Sequence, residues 1–140
     1  MANRRILIDT GAIYAFVTRS DRNHRAARSF VERWLKQGGV FVLADVVFAE
    51  TMTLLKVRLG AETAIRVGRE LRDNPAYAWT ALGQDGERDA WEIFRKYHDK
   101  GWSYTDCSLL AISRRSGVRG VFAFDRHFSQ MSGMEQQPRR

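Results

Sequence analysis

Short apolar runs that stop at a carboxylate alternate along this chain with longer stretches of three-and-four hydrophobic spacing, the pattern of strands alternating with amphipathic helices. The first run, Ile6-Leu7-Ile8, ends at Asp9 and gives way to Thr10-Gly11-Ala12. It reads as a buried central strand, because strands of a parallel sheet covered on both faces are nearly continuous in Val, Ile and Leu. Ala12 to Val17 suggests a helix next, so Asp9 or Thr10 has the plain alternative of capping it. Val40 to Ala44 is a second buried strand, Tyr77 to Leu82 a third, and Gly120 to Phe124 the last clear one.

Helices fill the intervals. Arg22 to Gln37 places Ala26 or Ala27, Phe30, Val31, Trp34 and Leu35 on one side, and Gly38-Gly39 stops it. Asp45 is placed to cap a helix from Val46 to Leu59 that Gly60 ends. Ala61 to Arg72 make another, broken by Asn74-Pro75. After Gly83 to Gly86 a long helix carries Ala90, Trp91, Phe94 and Tyr97 on one side as far as Lys100, and a last one runs from Ser103 or Thr105 to Gly117. Such alternation implies right-handed crossovers and an α/β fold: one domain over residues 1–140, with a central, mostly parallel sheet of four to five strands flanked by helices.

A length of 140 residues suits one core, and 44% hydrophobic with 28% charged residues fits a globular protein. Cys107 is the single cysteine, which excludes an internal disulfide framework. Only three apolar residues precede Asp9 after the basic start Met1-Ala2-Asn3-Arg4-Arg5, too few for a signal-peptide core, and no run reaches membrane-spanning length. The expected location is therefore the cytoplasm. A net charge of +7 favours a polyanionic partner such as nucleic acid. Arg4, Arg5, Arg19, Arg22, Arg25, Arg114, Arg115, Arg119 and Arg126 are candidates to hold a phosphate backbone.

Four acids stand out from the sixteen available. Asp9 and Asp125 directly follow strands. Glu50 shares a helical stripe with Val47, Leu54 and Val57, a stripe expected to face inward, and has no cation at ion-pair spacing. Glu32, Glu62 and Glu92 each have one, in Lys36, Arg66 and Lys96. Asp106 shares its face with Leu109 and Leu110, although Ser103-Tyr104-Thr105-Asp106 also matches a capping box in which the acid merely closes the first turn. Gathered at the carboxyl edge of the sheet, where ligands of such folds bind, the four would form a cup for hard, oxygen-preferring cations such as magnesium or manganese. Such ions activate water against a phosphodiester and keep close carboxylates ionised.

Leu7-Ile8-Asp9-Thr10, Val42-Leu43-Ala44-Asp45-Val46-Val47-Phe48-Ala49-Glu50-Thr51, Ser103-Tyr104-Thr105-Asp106-Cys107-Ser108 and Phe122-Ala123-Phe124-Asp125-Arg126-His127-Phe128 occur in this order across almost the whole chain. In them the chain resembles the PIN-domain ribonucleases, and among these the VapC-like toxins. The resemblance implies a three-layer PIN-like fold and a Mg- or Mn-dependent endoribonuclease, the toxin of a type II toxin–antitoxin pair. It implies metal binding and catalysis by Asp9, Glu50, Asp106 and Asp125, with Asp9 and Asp106 the main ligands. It also implies a VapB-type antitoxin and a homodimer. Thr10 and Thr105 would orient ligands or water from behind the acids. The chain departs from the family after Phe128: Ser129 to Arg140 is polar apart from Met131 and Met134, which leaves the final edge strand open and allows a disordered tail over 129–140.

Other readings compete. A catalytically inactive RNA- or protein-binding PIN module would bind in a salt-dependent way without turnover. A phosphatase using Asp9 as nucleophile needs a second Asp two residues on, where Gly11 stands. His127 reads as a helix-start residue in preference to a metal or phosphate contact, and His24 and His98 as surface positions. Cys107 reads as buried and inert. Trp34 and Trp91 are expected in the core, while Trp102, in a loop just before Asp106, is the aromatic kept as an RNA contact.

Overall fold

In the computed structural model the described residues are 4–139, so Met1 to Asn3 of the basic start and Arg140 of the polar tail lie outside them. The sheet has five strands: β1 Arg5–Ile8, β2 Val40–Ala44, β3 Tyr77–Thr80, β4 Gly120–Phe122 and β5 Glu135–Gln137. Their order is β3-β2-β1-β4-β5, and every neighbouring pair is parallel. Six helices flank it: α1 Thr10–Val17, α2 His24–Lys36, α3 Asp45–Leu59, α4 Ala61–Asp73, α5 Gly83–Lys96 and α6 Tyr104–Ser116. A short 3-10 helix, Arg126–Gln130, follows β4.

From β1 the chain steps outward through β2 to β3, then returns to lay β4 against the other side of β1. Right-handed crossovers in opposite directions put α5 and α6 on the opposite face from α1 and α2. The direction reverses between β1 and β4, which is where an open α/β sheet leaves a crevice at its carboxyl edge. The apolar strands explain why β1 is central: Ile6, Leu7, Ile8, Phe41, Val42 and Leu43 are all buried. Each large aliphatic side chain so removed from water contributes about 1.5–3 kcal/mol.

Three elements differ from their sequence reading. On α5 the buried stripe is Gly86, Ala90 and Ile93, at four-and-three spacing, whereas Trp91 is 55% exposed and Phe94 38%. Both aromatics lie one position beyond that stripe, so the helix ends facing outward with them, and it stops at Lys96 instead of Lys100. On α3 the inward positions are Val47, Thr51 and Leu55, while Val57 is 79% exposed and Glu50 is also exposed. Thr51, polar by name, takes the buried place that the expected stripe gave to Glu50, and Leu55 that of Leu54. Asp45 is the first residue of α3 and not its cap; its Oδ1 accepts the N–H groups of Val46 and Leu82, both at 2.9 Å.

The third difference is the polar tail. Residues 129–139 are placed, and β5 does form, pairing with β4 from Gly120↔Glu135 to Phe122↔Gln137. An edge strand needs one partner and tolerates polar side chains, so hydrophobic patterning does not announce it. Met131 is buried and Met134 packs against the core, which anchors the approach. The Glu135 N–H donates to the Arg119 carbonyl at 2.8 Å and the Ala123 N–H to the Gln137 carbonyl at 3.0 Å.

Candidate metal and active site

The reversal between β1 and β4 brings the two strand-end acids together. The Asp9 N–H donates to the Phe122 carbonyl at 3.0 Å, extending the pairing of β1 with β4 by one residue before the chain turns into α1. Asp9 is buried, yet its side chain does not cap α1, so the capping alternative fails. Beside it the Thr10 hydroxyl is buried with no hydrogen-bond partner among the described residues. A buried polar atom without a partner is uncommon and calls for a ligand, a water or an ion.

Asp106 enters from the start of α6. The capping box is real: Ser103 Oγ accepts the Asp106 N–H at 3.0 Å, and Asp106 Oδ2 accepts the Ser103 N–H at 2.9 Å. The capping and the ligand readings are therefore compatible, because the cap takes one carboxylate oxygen only. Asp125 caps the 3-10 helix, its Oδ1 accepting the His127 N–H at 2.9 Å. Its carbonyl accepts the Gln136 side-chain amide at 2.7 Å, so β5 braces the site. Glu50 stands at the exposed rim, where the Thr105 hydroxyl donates to its Oε2 at 3.1 Å. Thr105 thus bridges α6 to α3.

The charges of the other three acids are felt at Asp9. Burial first, then the charge of Asp106, with Glu50 and Asp125 adding to it, pushes the Asp9 carboxyl up to about 7, while the Thr10 N–H pulls the other way. Asp106 is raised as well, chiefly by burial, against the lowering effect of the Ser103 N–H and His127. Among the described residues no Lys or Arg forms an ion pair with any of the four. Like charges crowded about two buried carboxylates are costly until a cation joins them. Oxygen donors of this kind, with an unpartnered hydroxyl beside them, fit a hard divalent ion.

His127 belongs to this cluster, contrary to its reading as a helix-start residue. Its Nδ1 lies 2.9 Å from Asp106 Oδ2 and 3.1 Å from Asp125 Oδ1, and one ligand atom from each of the three residues falls within 4.8 Å of the others. The signal lay in the Asp-x-His spacing, since an aspartate that accepts the N–H two residues on folds the chain back over itself. Trp102 is buried, its indole N–H donating to Gln130 Oε1 at 2.9 Å, which removes it as an RNA contact. Cys107 is buried and its thiol is pushed up to about 11 by burial and by Asp106, which suits packing and not attack. His24 is half-buried with Nδ1 against the Ala15 carbonyl at 2.9 Å. Among the arginines, Arg5 and Arg119 sit at the amino edge of the sheet, opposite the acids, whereas Arg126 adjoins Asp125.

Comparison with known proteins agrees with this geometry. The PIN domain family matches residues 6–134. The 23S rRNA-specific endonuclease VapC20 of Mycobacterium tuberculosis is 29% identical over 133 residues, covering 95% of this chain and 98% of that one. The crystal structure of VapC20, described as a sarcin-ricin loop cleaving toxin, superposes with a TM-score of 0.81 at 26% identity over 89% of this chain and 93% of that one. VapBC2 from Rickettsia felis, bound to a DNA fragment from its promoter, gives a TM-score of 0.71 at 9% identity over 95% and 97% of the two chains. A toxin–antitoxin complex from Klebsiella pneumoniae gives 0.64 at 16% identity over 93% and 95%. The last two bear on the fold alone. With that domain matched over residues 6–134, nearly the whole chain, the protein belongs to the PIN domain family.

Proposed function

We propose that this chain, as one domain, is a metal-dependent endoribonuclease and the toxin of a type II toxin–antitoxin pair acting in the cytoplasm. The observation that carries the reading is the acid cluster at the β1–β4 reversal, with Asp9 and Asp106 buried and no arginine or lysine ion pair among the described residues. Asp9, Asp106 and Asp125 hold Mg2+ or Mn2+, with Glu50 at the rim. When bound, such an ion lowers the pKa of a water and offsets charge on the leaving oxygen of a phosphodiester. The residues do the rest. Burial keeps bulk water from competing at Asp9 and Asp106, Thr105 fixes Glu50, and the Thr10 hydroxyl is available to hold a water against Asp9.

Arg126 stands beside the cup as a phosphate contact. The 23S rRNA named for the 29%-identical relative makes ribosomal RNA the first substrate to try. The 26%-identical structure described as a toxin supports a VapB-type antitoxin as protein partner. A homodimer is supported by the row of exposed rings Trp91, Phe94 and Tyr104, with successive centroids 6.1 and 5.9 Å apart, which a second copy would cover. No helix among the described residues is long and apolar enough to cross a membrane.

The test is cleavage of purified ribosomal RNA with Mg2+, Mn2+ or EDTA, by the parent protein and by Asp9→Asn. Cleavage that needs the ion and disappears in the folded variant supports the reading. Binding without turnover would favour an inactive module, and equal cutting by the Asn variant would place catalysis elsewhere.

A further inference from the structure

We infer that His127 is a positioning residue whose ring turns one oxygen of Asp106 toward the ion by occupying the other. The inference rests on the reading above that a divalent ion is held there.

Asp106 Oδ2 faces two donors, the Ser103 N–H at 2.9 Å and His127 Nδ1 at 2.9 Å. Asp125 Oδ1 accepts the His127 backbone N–H at 2.9 Å, while the ring Nδ1, 3.1 Å away, has its one hydrogen directed to Asp106. A carboxylate oxygen has two lone pairs, so two donors fill it. Asp106 Oδ1 and Asp125 Oδ2 take no hydrogen bond among the described residues. Those are the oxygens left for a cation.

The imidazole is itself a poor ligand in this pose. An ionised Asp106 only accepts, so Nδ1 against its Oδ2 carries the hydrogen and has no lone pair to give a metal. Nε2 lies on the opposite edge of the ring, against Gly101, where an added Cβ would stand 3.3 Å from it. The glycine therefore makes room for the ring. A residue that only started the 3-10 helix would need its backbone N–H and nothing more. The ring instead ties the 3-10 helix after β4 to the start of α6. Donors behind a metal-binding group commonly set its orientation and basicity.

The experiment is titration with Mn2+, followed by electron paramagnetic resonance, of the parent, His127→Ala and His127→Asn, with spin-echo modulation recorded on the loaded parent. Asn keeps an N–H donor near the position of Nδ1. Weakening of Mn2+ binding by about 10–100-fold in the Ala variant, recovered to within about threefold by Asn, is the expected result. The loaded parent is expected to lack the nitrogen modulation of a directly bound imidazole. Mn2+ binding by the Ala variant as tight as the parent's overturns the inference, as does an Asn variant no better than Ala, or a bound-imidazole signal in the parent. Thermal melting of the metal-free variants reports whether each folds, and if Ala does not, the Asn variant and the parent's modulation still decide. A parent that takes up no Mn2+ fails the functional reading itself, a result distinct from the others.

Discussion

Asp9 and Asp45 occupy the same place in the grammar of the chain, each following a buried apolar strand and preceding a helix, and the structure uses them in opposite ways. Asp45, after β2, is consumed by the backbone: one oxygen accepts the N–H groups of Val46 and Leu82 and pins the turn after β3 to the start of α3. Asp9, after β1, is buried among other acids, caps nothing, and is pushed up to about 7. The difference comes from the neighbours. Beyond β2 lies β3, whose exit supplies a backbone donor, whereas beyond β1 on the other side lies β4, whose exit supplies another carboxylate. A strand-end aspartate is thus a structural staple or a member of an acidic cluster according to which strand the topology sets beside it.

That contrast can be broken most severely by exchanging charge for amide. Asp9→Asn is expected to lower cleavage of RNA by about 10³-fold or more while the fold persists, whereas Asp45→Asn should stay within about threefold, as measured by single-turnover gel assays. Asp106→Asn should resemble Asp9→Asn.

Stability against pH sharpens it next. The folded pKa of Asp9 lies above its unfolded value of 3.8, so the folded state binds the extra proton between the two. Its contribution is favourable below pH 4 and is lost as pH rises through about 7. Metal-free protein should therefore lose on the order of 2–4 kcal/mol from this group across that window, and Asp9→Asn or added Mn2+ should flatten the trend in denaturant melts. A metal-free parent whose stability rises over the same window in step with the Asn variant would remove the claim that Asp9 is strained.

Loss of the staple is expected to be smaller. Asp45→Ala leaves the Leu82 and Val46 N–H groups without their acceptor and should cost about 1–2 kcal/mol in thermal denaturation, with Mn2+ affinity unchanged. The least effect is predicted at the rim: Thr105→Val frees exposed Glu50 and should weaken Mn2+ binding by only about threefold, read by titration.

Much of this was legible without coordinates. The buried strands, the helix around Asp106 and the acids at two strand ends follow from local composition, because burying a continuous Ile-Leu-Ile run leaves few other places for it. Three matters were not local. Which stripe of α3 and α5 faces inward depended on what packs against them, so Glu50 and Trp91 were expected inside and lie outside. The β5 strand depended on an open edge of β4, an opportunity that no side-chain pattern encodes. His127 joined the site through a turn that closes on Asp125 and lands on Asp106, 21 residues away.

The sequence by itself determined the α/β class, the order of elements and the supply of acids, since these follow from periodicity and from the cost of hiding charge. Only the tertiary structure decided which acids share a cup, which oxygen of each is left for a cation, and which aspartate is spent on the backbone. Those outcomes turn on distances between segments remote in the chain, and the reversal of strand order between β1 and β4 is what sets them.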